Sequence, residues 1–186
     1  MSVILHEENN TMSLLNKVCN QIKGLPRAPQ PAIPARELWI TFIGSIVGLG
    51  ITAAMAYKWN CPMLAGSFGS TATMIYGAYK APLAQPRNIL LGHFLSALMG
   101  VAVYDFFGTT WWSLALGVTL ATIFMAVTHS IHPPAGATAY VAVLTGGLGE
   151  GYSFIINPIL IGVFILTLVA VIVNKAGKRN YPTHWW

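Results

Sequence analysis

The residues able to do chemistry in this chain gather in two stretches, SFGSTATMIYGAYKAPLAQPRN at residues 67–88 and THSIHPPAGATA at residues 128–139. His129 and His132 stand at i, i+3, a spacing that puts both on one helical face and suits a shared metal ion. No Asp, Glu or Cys accompanies them inside the apolar runs, so a metal-dependent enzyme would need His93 to join them in space. A pore-lining role suits the surroundings better: a protonated imidazole donates a hydrogen bond to an anion or passes a proton along with it. His132 and His93 are the candidates for that role, and His129 is placed at the entrance.

Helix-end chemistry points the same way. Pro133 and Pro134 fit the first turn of a helix, where the missing N–H would have no partner. Gly136, and Gly69 in the other stretch, leave no side chain over free backbone donors, with Ser67 or Ser70 as caps and Thr71 and Thr138 adding hydroxyls. A helix start after Gly69 and another at Pro133 would each present bare N–H groups and a partial positive charge, which favours a small anion. Small residues also make close-packing surfaces between membrane helices, the plainer reading of both glycines. Gln85, Arg87 and Asn88 flank Pro86; Asn88 is assigned to the lining, and Gln85 and Arg87 to an inner mouth where Arg87 gathers anions or anchors topology.

The composition sets the elements that must position these groups. Of 186 residues, 55% are hydrophobic and 8% charged, with mean hydropathy +0.61. Soluble domains carry about 25% charge, so this is an all-α integral membrane protein. Residues 1–35 form a cytoplasmic arm, 36–174 a transmembrane domain and 175–186 a cytoplasmic tail. In the arm, Leu15, Val18, Ile22 and Leu25 follow helical spacing that suits the inner leaflet, and residues 26–34 read as a Pro-rich connector. The net charge of +5 comes from ten Lys and Arg residues spread at the ends of apolar runs, a topology signal rather than a nucleic-acid surface.

A helix needs about 20 residues to cross a hydrocarbon core of roughly 30 Å. Residues 38–57, 88–104, 111–128 and 158–174 approach that length; residues 62–79 and 134–148 are apolar but rich in small residues and open near a proline. With six crossings and a cytoplasmic N-terminus, nine basic residues lie inside and Lys58 alone outside; with four crossings the split is seven to three. Six fit better. GSTA at 69–72 recurs as GATA at 136–139, an offset of 67 that also carries the segment at 38–57 near that at 111–128 and the segment at 88–104 near that at 158–174. The expected fold is therefore six membrane segments as two inverted three-segment repeats, the second segment of each broken or re-entrant.

The motifs at 67–88 and His132–Ala139, with GHFLSALMGV at 92–101, resemble the HPP family of integral membrane proteins. The resemblance covers roughly residues 36–175 and departs at Tyr79-Lys80, where the family often has a shorter polar turn. Members in cyanobacteria and plastids are linked to nitrite transport, so the resemblance implies a permease or channel for nitrite or a similar small monovalent anion, in a bacterial inner membrane or an organellar one. The family is commonly described with four spans, against the six favoured by the charge count. Its motif positions here are Ser67, Gly69, Gln85, Pro86, Arg87, Asn88, His93, His132, Pro133, Pro134, Gly136 and Thr138. The expectation is thus a homo-oligomeric transporter in the lipid bilayer, with a small inorganic anion and a proton as partners, and with no cofactor, resident metal, catalytic residue or nucleic acid. The alternatives are a metal-dependent enzyme using His93, His129 and His132, a channel for a small neutral solute, and an interaction module recruiting partners through the Pro-rich arm.

Overall fold

A computed structural model describes residues 17–19 and 31–185. The chain divides into two units: in the first, Met1–Ile33, a helical turn at 17–19 and residues 31–33 are described, and most of the expected inner-leaflet helix and of the connector lies outside the described residues. The second unit begins at Pro34 and holds every element below.

Six helices follow in order: α1 Ala35–Lys58, α2 Leu64–Ala72, α3 Pro86–Phe107, α4 Trp111–Val127, α5 Pro133–Thr145 and α6 Ile161–Ala176. A wider helical turn, Thr73–Gly77, prolongs α2, and another, Ile155–Leu160, leads into α6 around Pro158. Proline cannot donate to the regular ladder, and the wider turn accommodates it. Pro86 opens α3. α4 opens on a reciprocal cap in which Thr110 Oγ1 accepts from the Ser113 amide at 3.1 Å and Ser113 Oγ from the Thr110 amide at 2.8 Å. α5 stops at Gly146, in the left-handed region at φ +59°, where a Cβ would lie 2.4 Å from the Tyr104 ring.

The start of α2 corrects the expectation of a helix end at Gly69. The helix begins at Leu64 because the amides of Leu64, Ala65 and Gly66 bond the carbonyls of Cys61, Pro62 and Met63 at 3.0, 3.0 and 3.1 Å. Gly69 lies inside the helix, with Leu49 3.7 Å from the position of a Cβ. Ser67 and Ser70 therefore cap nothing. At α5 the start at Pro133 is as expected, but it offers few donors: Pro133 and Pro134 have no N–H, and the Ala135 amide bonds back to His132 O at 2.9 Å. The pair of bare helix ends is not present.

Three segments, Ala35–Lys58, Pro86–Phe107 and Ile155–Ala176, are long and apolar enough to cross a membrane, and Trp111–Val127 is a shorter apolar helix. α5, with 13 residues, spans only about 20 Å at 1.5 Å per residue. The six helices run back and forth between two ends of the bundle. At one end Arg36 donates to Gly177 O, Arg179 to Tyr76 O, and Arg87 to Thr128 O; at the other Thr109 Oγ1 donates to Val143 O. α1 packs on α2 and α6, α4 packs on α5 and α3, and α2 meets α5. Large apolar side chains such as Phe42, Ile46, Phe164 and Ile172 are exposed, whereas Ser67, Thr71, His93, His132 and Thr138 are buried. Apolar outside and polar inside is the partition of a lipid-facing protein, so the chain is an integral membrane protein.

The helices touch closely where small residues allow it. A Cβ on Gly100 would lie 2.6 Å from Ala142 Cβ and 2.7 Å from Ala139 O, so α3 and α5 meet backbone to backbone. At the end carrying the tail, Arg179 is buried: its Nε bonds Glu37 Oε2 at 2.7 Å, its Nη1 bonds Tyr76 O and Asn174 Oδ1 at 3.0 and 3.1 Å, and its Nη2 bonds Thr41 Oγ1 at 2.9 Å. One guanidinium thereby joins α1, the end of α2 and α6.

Two outcomes follow for thermal unfolding in detergent. Gly100→Ala should destabilise by about 1–3 kcal/mol through overpacking, whereas Gly136→Ala, whose Cβ would meet only Val118 at 3.8 Å, should be tolerated. Arg179→Met should cost about 3–5 kcal/mol, since it leaves Glu37 and buried carbonyls without their partner, and Glu37→Gln should add less to Arg179→Met than it costs alone.

Candidate functional site

The site grows from the meeting of α2 and α5. Ser67 Oγ lies 3.0 Å from Pro134 O and 2.8 Å from Thr138 Oγ1, while Thr71, one turn on in α2, lies 3.1 Å from His132 Nε2, ahead of α5. The two short helices thus pass each other antiparallel. His93 enters from α3, seven residues after Pro86, or about 10 Å along the helix. Its Nδ1 is 2.8 Å from Thr138 Oγ1 and its Nε2 is 3.0 Å from Thr71 Oγ1. Thr71 and Thr138 are the threonines related by the offset of 67, so a single imidazole spans the two repeat-equivalent hydroxyls. His132 Nδ1 lies 2.8 Å from Leu83 O, and the two imidazole centroids are 5.3 Å apart.

Every member of this chain, Ser67–Thr138–His93–Thr71–His132, is at most 1% exposed, and every side-chain polar atom in it has a partner. In hydrocarbon surroundings an unpaired polar atom is expensive, and each hydroxyl can both accept and donate. The arrangement can therefore hold and redirect hydrogen bonds without exposing an empty donor. Gly92 makes room for it: a Cβ there would lie 3.0 Å from His132 Cβ and 3.1 Å from Ser130 O.

The polar residues at the start of α3 hold the turn that carries His132. Asn88 Nδ2 donates to Ile131 O at 2.9 Å, and Arg87 donates to His129 O at 3.0 Å and Thr128 O at 2.9 Å. Arg87 thus caps the carbonyl end of α4, where a cation is favoured. Gln85 donates to Tyr79 O and Ala81 O, both at 3.0 Å, and accepts from the Thr183 amide at 2.9 Å. A cleft of about 400 Å³ lies beside this turn, lined by Leu83, Arg87, Asn88, His129, Ile131 and His184, among others. It reaches Leu83, whose carbonyl holds His132, so one residue separates the open cleft from the buried chain.

Of the residues singled out in the sequence, Ser67, Thr71, His93, His132 and Thr138 come together, with the Pro134 carbonyl at their edge. Pro133 and Ser70 are exposed, Gly136 rests against Val118, Gly69 faces Leu49, and His129 sits exposed in the cleft with φ +53°. The three-histidine metal set does not assemble: the turn directs His129 to the cleft, away from the buried pair, and among the described residues no group of three His, Cys, Asp or Glu is placed to hold a metal. Sequence reasoning missed the Leu83 carbonyl, Gly92 and His184. A backbone acceptor carries no side-chain signature, and His184 lies in the polar tail, far along the chain from the motifs it joins.

Comparison with known proteins fits this architecture. The transmembrane region of the HPP family matches residues 30–182. A Dictyostelium discoideum protein described as a transmembrane protein is 39% identical over 176 residues, covering 88% of this chain and 61% of its own length. A second transmembrane protein of that organism is 38% identical over 174 residues, covering 88% of this chain and 56% of its own. The chain thus spans about three-fifths of the length of these curated relatives. No solved structure matches. With the family match covering the whole bundle and the buried chain within it, this protein belongs to the HPP transmembrane family.

Proposed function

We propose that the chain is a membrane permease for nitrite or a similar small monovalent anion, which passes where α2 meets α5 and takes a proton with it. The observation that carries this reading is the buried run of hydroxyls and imidazoles between two short helices. Ionisable groups inside a membrane domain are costly and mark the paths of substrates and protons. Short or broken helices meeting mid-membrane are also how transporters with inverted repeats build their sites. The offset of 67 between Thr71 and Thr138, the matched packing of α1 with α2 and α6 and of α4 with α5 and α3, and the alternating run of six segments support two inverted three-segment repeats. The charge distribution supports cytoplasmic termini.

The donors in this reading differ from those first expected. With no bare helix ends available, the anion is met by side chains: Thr71, Thr138 and a protonated His132, with Ser67 and His93 behind them. Arg87 gives the cleft a cationic group that draws anions toward Leu83, and His129 lines the same cleft. Nitrite follows from the family resemblance rather than from the geometry. The exposed apolar faces of α1 and α6 supply surface for lipid and for further copies of the chain in a homo-oligomer. No covalent step is involved.

Nitrite uptake into proteoliposomes holding the purified chain tests the reading: uptake should exceed that of protein-free vesicles and fall to their level with His132→Ala. Uptake equal to protein-free vesicles for the unaltered chain contradicts it. For the six-segment topology, cysteines at Lys58 and Lys80 should be labelled from opposite sides of the membrane; labelling of both from one side would overturn it.

A further inference from the structure

Donor and acceptor counting at Thr71 says more about the proton. Leu83 O can only accept, so His132 Nδ1 carries a hydrogen. In a neutral His132 the Nε2 must then accept, and the hydroxyl facing it is Thr71 at 3.1 Å. Thr71 has one hydrogen and three partners: His132 Nε2, His93 Nε2 at 3.0 Å and Ser67 O at 3.0 Å. When that hydrogen goes to His132, the bond to Ser67 O is lost. When His132 is protonated, both imidazoles donate to the two lone pairs of Thr71, its hydrogen turns to Ser67 O, and all three contacts are made at once. Uptake forms one N–H bond on His132 from a solvent proton and requires one hydroxyl rotation.

A proton on His93 is accommodated too, at the other end of the chain, with Thr71 again left to choose between Ser67 O and His132 Nε2. His93 then donates to Thr138 and Thr71, Thr138 donates to Ser67, and Ser67 donates to Pro134 O at 3.0 Å. Two protons are not, because the rings are 5.3 Å apart and like charges at that distance in a low-dielectric interior repel strongly. Among the described residues no carboxylate bonds either ring. The groups facing the pair are Ser67 and Thr71 on α2, Thr138 on α5, the Leu83 carbonyl and, from α4, Met125, whose sulfur accepts from Ser96 on α3; Arg87 on α3 and His129 and His184 at the cleft bring only basic character.

We infer that the His93–Thr71–His132 group is a site for one proton whose counter-ion is the transported anion, which makes transport an electroneutral one-to-one symport of proton and anion. The inference rests on the permease reading and adds its stoichiometry and the part of Thr71 as the link between the rings.

The test is nitrite flux into proteoliposomes with a pH dye inside and the membrane potential clamped with potassium and valinomycin. One proton should enter per nitrite, at a rate that does not change with the potential. Thr71→Val should lower flux by about tenfold or more, the scale of a lost buried hydrogen bond left uncompensated, while Thr71→Ser should retain it. Nitrite flux that follows the potential without proton entry overturns the symport and leaves the permease standing. Absence of nitrite flux sinks the permease itself, and the proton count is then read by ¹⁵N NMR of histidine-labelled protein, assigned with His93→Gln and His132→Gln. One imidazolium shared by the pair supports a one-proton site; two independent imidazolium ions, or none down to acid unfolding, overturn it.

Discussion

The imidazole of His93 is held between Thr71 and Thr138, one ring nitrogen on each. Because α2 and α5 contribute those threonines, this bridge couples the two short helices to each other and to α3. A buried ring with two satisfied nitrogens needs both partners in place, and each threonine in turn is satisfied only through His132 or Ser67. The polar interior therefore forms as a unit. Around it, close contacts at Gly92 and Gly100 bring α3 within reach of the His132 turn and of α5, so the packing of small residues and the hydrogen-bond chain specify the same geometry.

The end of the bundle that carries the tail shows a second dependence. The carbonyl of Tyr76, where α2 leaves regular geometry, accepts from Thr41 on α1 and from Arg179 in the tail. Tyr181 donates to Ala84 O, and Thr183 bonds Gln85, so the tail crosses the loop that presents Leu83 to His132. The segment expected from sequence to be a plain polar tail is thus part of the wall of the cleft. Its anchor is a charge buried with its partners, the kind of group whose removal costs far more than an exposed ion pair contributes.

Much of the fold was legible because membrane helices announce themselves by length and apolarity, and because Pro86 and Pro133 sit at true helix starts. The members of the buried chain could also be found: an ionisable or hydroxyl-bearing residue inside an apolar run has few places to go but a polar partner, and the recurrence of GSTA as GATA paired Thr71 with Thr138. What misled was Gly69. A glycine with Ser67 and Ser70 at hand as caps reads as a helix start, but the carbonyls of Cys61, Pro62 and Met63 are available to bond the first amides, and in that setting glycine continues the helix. The double proline misled in another way, since the residues that mark the start of α5 also remove the donors that a helix start would otherwise offer. Arg179 gave no local signal at all; its partners lie on α1, α2 and α6 and are brought to it only by the finished bundle.

The central claim is that the two repeat-related threonines act together through His93. Nitrite flux into proteoliposomes, compared for Thr71→Val, Thr138→Val and the double variant, tests it most directly. If His93 couples them, each single change removes most of the flux and the double change is no worse than either. Independent losses that multiply in the double variant, or flux untouched by both single changes, would contradict it.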